Sequence, residues 1–162
     1  MNRYQRIALI LGVVMVFTLA KWDSFLLAQD KRDILRGLQG CPVVVERLRP
    51  EIEQDGLTKE QLQTDTELKL REAGIKVFSL KEAAQLKGCP YFYLNVHVLK
   101  LQSGCYSYNI STELIEEAFP LWQTAWTQLE LLGFSCRLSD IRENAKDMVD
   151  EFINEYLAAN QK

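Results

Sequence analysis

The apolar positions change period several times along this chain, and each period predicts an element. Residues 7–20 ("IALILGVVMVFTLA") form an unbroken apolar or small run behind Arg3 and Arg6. Residues 22–38 show a weak helical pattern through Phe25, Leu26, Ile34, Leu35 and Leu38, interrupted by "QDKRD". Residues 42–48 carry three consecutive valines, which favour a strand because branching at Cβ restricts χ1 in a helix. The unbroken apolar run predicts burial on both faces, hence a central strand. Residues 58–74 predict a helix. Thr58 and Gln61 make a capping box, Leu57 and Leu62 a hydrophobic staple, and Gly74 a C-terminal stop. Leu62, Leu68 and Leu70 supply its apolar contacts. A short strand over 75–80 completes a β-α-β unit, and residues 81–87 read as a short helix or turn.

The second half turns to period two. Over 91–101, Phe92, Leu94, Val96 and Val98 face one way, while Tyr93, Asn95, His97 and Leu99 face the other. Ser103-Gly104 marks a hairpin. A strand over 105–114 follows, with Tyr106, Tyr108, Ile110 and Leu114 on one side. Phe119-Pro120 breaks it, and residues 123–134 make a further strand with Ala125, Thr127, Leu129 and Leu131 sharing a side. Asp140 and Glu143 then read as a capping box. Ile141, Ala145, Met148, Val149, Phe152, Ile153, Tyr156 and Leu157 form one continuous helical stripe. The fold class expected is α/β (α+β): a mixed sheet of about five strands, a β-α-β unit followed by an antiparallel meander, and a long C-terminal helix packed across one face.

Length and charge narrow the reading. At 162 residues the chain suits one domain plus an appendage. A net charge of −3 argues against a nucleic-acid binder. The positive head and short apolar run of residues 1–20 describe a signal peptide with small residues at Thr18 and Ala20, or an uncleaved anchor. That run is about 14 residues, whereas a bilayer span needs about 20. Residues 21–40 are read as a helical arm or linker, and 41–162 as a single α/β domain. The expected location is periplasmic or extracellular, with any membrane attachment made only through residues 7–20.

Four cysteines remain to be explained. Leu38-Gln39-Gly40-Cys41 imitates a bacterial lipid-attachment box. Charges between it and the apolar run exclude lipidation of Cys41, because "DKRDILR" does not enter hydrocarbon cheaply. The cysteines are isolated and there is one histidine, so neither a zinc site nor a cysteine protease pattern is present. Disulfides fit an exported chain. If the last hairpin centres between Pro120 and Leu121, numbers of opposite residues add to 241, and Cys105 faces Cys136. Cys41 and Cys89 are the leftover pair. Both lie in Gly-Cys-Pro at a strand start, and they bond only if those starts are neighbours. The alternative is quiet buried thiols.

The segments "VVVERL", "GLTKEQLQTDTELKLREAGIKV", "YFYLNVHVL", "YSYNISTEL", "TAWTQLELLG" and "IRENAKDMVDEFINEYLAAN" together resemble a set of short exported bacterial proteins of unassigned function. The resemblance covers residues 43–160 and implies a secreted α/β domain with no assigned chemistry. The architecture also resembles the N-terminal domain of TolB, which implies envelope assembly by fold analogy alone.

Three functions fit. The first is a non-catalytic interaction or assembly module of the cell envelope, taking a protein or glycan partner on an aromatic face of Tyr91, Tyr93, Tyr106, Tyr108 and Trp126, with Trp122 nearby. The second is a small-ligand carrier using a groove between the sheet and the last helix, near Phe152 and Tyr156. The third is a carboxylate hydrolase, with Glu46, Asp65, Glu67, Glu113, Glu116 and Glu117 as candidate acids that must converge to work. No cofactor, metal or nucleic acid is expected.

Overall fold

In the computed structural model, residues 35–86, 88–118, 121–127 and 130–161 are described, without the side chains of 117–118 and 121–127. The apolar run at 7–20 and most of the arm therefore lie outside the described residues. The elements are β1 (Val43–Val45), α1 (Pro50–Gln54), α2 (Lys59–Glu72), α3 (Leu80–Ala83), β2 (Tyr91–Lys100), β3 (Tyr106–Ala118), β4 (Leu121–Thr127), β5 (Leu131–Ser135) and α4 (Leu138–Asn160).

The sheet is mixed. β1 pairs parallel with β2, Val43 opposite Phe92. β2 and β3 form a long antiparallel hairpin, in which Leu101 donates to the Cys105 carbonyl and Gly104 takes positive φ. β4 and β5 both pair with β3, along consecutive stretches of the same edge. Five strands thus occupy four positions across the sheet, and the fourth position is shared. The single strand expected over 123–134 is two strands. The valine strand is an edge of the sheet rather than its centre. Its far side carries only one parallel bridge, Cys41 to Val77, which is all that forms of the strand expected over 75–80.

Local chemistry explains the helices. Thr58 and Gln61 close the predicted capping box on α2, and Leu57 and Leu62 are both buried. Leu68, expected in the core, is 52% exposed; two residues from buried Thr66 and Leu70, it lies off their face. Pro50 opens α1, which period alone did not reveal. α4 begins at Leu138, with Arg137 at the N-cap and no side-chain cap. The expected Asp140 cap is instead a first-turn carboxylate, accepting from Ser135 Oγ at 2.7 Å. At 23 residues α4 spans about 35 Å. Its stripe from Ile141 to Ile153 is buried, Tyr156 is half-buried, and Leu157 is exposed.

The core lies between one face of the sheet and α2 with α4. Phe92, Leu94, Val96, Val98, Tyr106, Tyr108, Ile110 and Leu114 face it, as alternation predicted. The rings of Phe92 and Phe152 meet at 4.7 Å between centroids, filling the space between sheet and α4. The described end of the arm packs firmly: Leu35 is fully buried, and Asn160 donates to its carbonyl at 2.9 Å.

Candidate functional site

Strand parity decides which side chains share a surface. On β2 and β3, directly opposite residues face the same way. Val98 and Tyr108 are opposite, and so are Lys100 and Tyr106. Tyr106 and Tyr108 are therefore core-side and buried, while Tyr91 and Tyr93 are half-buried on the outer face. The expected aromatic face is divided between the two sides of the sheet. Tyr106 donates to Asp55 Oδ2 at 2.8 Å, and Lys100 Nζ joins the same oxygen at 2.6 Å. The Lys100 hydrogen bond holds the Asp55 carboxyl below its ordinary range, and Asp55 in turn raises the Tyr106 phenol. Tyr108 accepts from Asn144 Nδ2 at 2.6 Å, and its ring lies over Gly133, where any Cβ would overlap it. Both tyrosines are structural anchors. Trp126 stands opposite Leu114 in the register, and its side chain, like that of Trp122, lies outside the described residues.

What the outer face does expose is apolar, two leucines and a phenylalanine. Leu99, Leu132 and Phe134 are 48%, 72% and 77% exposed. Register gathers them: Ser107 lies between Leu99 and Phe134, and Asn109 lies between His97 and Leu132. The result is two short rows across β2, β3 and β5 at the hairpin end of the sheet. Toward the other end this face closes, and Ser111 is buried. The period of "LLGFS" carried this information, since Leu132 and Phe134 flank Gly133 two apart. The expected face of tyrosines and tryptophan contains neither residue.

A second feature is a cleft of about 440 Å³ at the strand starts, lined in part by Arg36, Gly40, Phe78, Cys89 and Glu116. Gly40 has φ of 145°, and a Cβ there would strike the Lys76 carbonyl oxygen. Cys41, just inside, is buried and free. Burial, and then neighbouring Cys89, push its thiol up to about 12. Burial also raises Cys89. Neither is a thiolate at neutral pH, which is what nucleophilic chemistry needs. The leftover pair is not bonded, in line with the alternative of quiet thiols, whereas Cys105 and Cys136 form the predicted disulfide, Cα atoms 4.0 Å apart.

The candidate acids are dispersed. Asp65 takes a two-point contact from Arg142 at 2.6 and 2.9 Å, which holds its carboxyl below the usual range. Glu67 accepts from Gln63 and Arg71 on the same helix. Glu113 lies on the outer face opposite Tyr93, Glu116 borders the cleft, and Glu46 follows β1. The Glu117 side chain is outside the described residues. Among the described residues no three potential metal ligands cluster, and no helix is long and apolar enough to cross a membrane.

Compared with family models, with curated proteins and with solved structures, the chain matches none.

Proposed function

We propose that this chain is an exported interaction module of the cell envelope that works by binding rather than by catalysis. The observation that carries the reading is the exposed apolar end of the outer sheet face, with Leu99, Leu132 and Phe134 side by side. Large apolar side chains grouped on one surface mark interaction sites in soluble domains. Export is supported by the positive head and apolar run of residues 1–20, and a disulfide is compatible with an oxidising compartment. The resemblance to short exported bacterial proteins and to the TolB N-terminal domain points the same way. The partner class is an envelope protein or a glycan.

The test is capture of the tagged full chain from its own envelope fraction, beside Leu99→Lys as control. A stoichiometric partner held by the wild type and lost with Leu99→Lys is the expected result. Recovery of the protein from the cytoplasmic fraction, or equal capture by both forms, overturns the reading.

A further inference from the structure

The geometry points to a second copy of this chain as a partner, joined through the free edge of β5 in an antiparallel pairing centred on Gly133. This deepens the interaction reading by naming one partner, and its test fails separately from that of the reading.

Hydrogen-bond parity fixes which backbone groups of β5 face outward. Leu101 donates to the Cys105 carbonyl at 2.8 Å. Alternation along an antiparallel pair then turns the odd-numbered backbone groups of β3 toward β2 and the even-numbered ones toward its other neighbour. The other side of β2 agrees: Phe92 donates to Pro42, and Leu94 accepts from Glu46. On β5 the residues opposite Tyr106, Tyr108 and Ile110 are Ser135, Gly133 and Leu131. Those three therefore bond inward. The N–H and C=O groups of Leu132 and Phe134 point outward, and among the described residues β5 pairs only with β3.

Edge strands that must stay single usually carry charge, proline or a bulge. Leu131–Ser135 has no charge and no proline. Its two outward-bonding residues are also its two exposed apolar ones. A two-fold pairing about Gly133 sets Leu132 opposite Phe134 of the other copy, twice, and is the register compatible with the outward groups that uses both residues of each copy. It also brings Glu130, which accepts from Asn109, near Arg137 of the other copy, which pairs with its own Asp140, so unlike charges approach at both ends. A parallel pairing would set each against its own kind. Glu130 is exposed, and the Arg137 side chain is 77% exposed. The seam extends the outer apolar rows from one copy into the next. It rests on a few residues per copy, so the dimer is reversible.

The experiment is sedimentation velocity of the full chain in mild detergent over a concentration series, with Phe134→Lys and Leu132→Pro beside the wild type. Proline at 132 removes only the outward donor, because the ladder to β3 does not use it. Far-UV circular dichroism and an intact disulfide confirm folding of each variant. The expected result is a concentration-dependent dimer, weakened roughly tenfold or more by either substitution, which corresponds to about 1.4 kcal/mol or more. A wild type that stays monomeric overturns the proposal, and so does a dimer indifferent to both changes. A dimer lost with Phe134→Lys but kept with Leu132→Pro overturns edge pairing. A monomer that still captures an envelope partner overturns only the dimer.

Discussion

The two cysteine pairs sit at opposite ends of one sheet and end differently. Cys105 and Cys136 are directly opposite on antiparallel β3 and β5, one step past Tyr106 and Ser135, and they are bonded. Cys41 and Cys89 open two parallel neighbours, and they are free. Strand neighbours are thus present in both cases. The difference is one residue of register. Val43 stands opposite Phe92, so Cys41 lies two residues and Cys89 three residues ahead of the ladder, and Cys89 closes a turn, its N–H donating to the Leu86 carbonyl at 3.2 Å. The thiols are near enough for Cys89 to raise Cys41, yet they are offset and unbonded. The matching Gly-Cys-Pro motifs suggest alignment, and the sheet aligns them one step out.

The largest test of this contrast removes the bonded pair. Cys105→Ser should cost about 3–4 kcal/mol of stability, the loop-closure value for this separation, read by urea denaturation. Reduction of the wild type should produce the same loss, and a much smaller one would mean that the sheet holds that end unaided. At the other end, Gly40→Ala forces a side chain into the Lys76 carbonyl at positive φ, and should cost about 1–3 kcal/mol. Cys41→Ser buries a hydroxyl in place of a thiol and should cost about 1–3 kcal/mol, with Cys41→Ala cheaper. The register argument is sharpened by the double variant Cys89→Ser, Pro90→Cys. It moves the thiol one residue along β2's approach, removing the offset counted from Val43 and Phe92, so non-reducing peptide mapping should find a second disulfide, and continued free thiols would contradict the offset.

The effect smallest at neutral pH is that of pH itself. The Cys41 thiol is raised above its unfolded value, so the native state holds its proton longer. Stability from this group is fully present below the unfolded value and is lost as pH rises from about 9 towards about 12. Alkylation at pH 8 should accordingly label Cys89 and spare Cys41 until the protein unfolds.

Much of the fold was legible because local chemistry and packing agreed. The Thr58 capping box, the alternation of β2 and the α4 stripe each state their burial in their own spacing. The disulfide was legible for a reason only half right. The expected hairpin centres between Pro120 and Leu121, with opposite numbers adding to 241. In the structure Ala118 faces Leu121, which opens the hairpin two lower. Ala125 is then skipped between Thr124 and Trp126, and a further offset accumulates before Leu131. Those two steps bring β5 to the register that pairs the cysteines. Bulges of this kind answer to tertiary fit and leave no mark in hydrophobic period. The valine strand was misplaced for a related reason: an edge strand covered by helices reads like a central one, and β1 has Val43 and Val45 buried. The site was less legible. Period two sets Tyr106 and Tyr108 on one side with Ile110 and Leu114, while Leu132 and Phe134 fall on the side away from Leu131 in a strand expected to run unbroken over 123–134.

The side chain of Asn160 accepts from Gly37 N–H at 3.0 Å and donates to the carbonyls of Leu35 and Tyr156, each at 2.9 Å. One amide thereby hooks the start of the described chain onto the last turn of α4. The three-residue strand β1 is therefore not alone in holding that end of the described chain: the last turn of a core-seated helix holds it too.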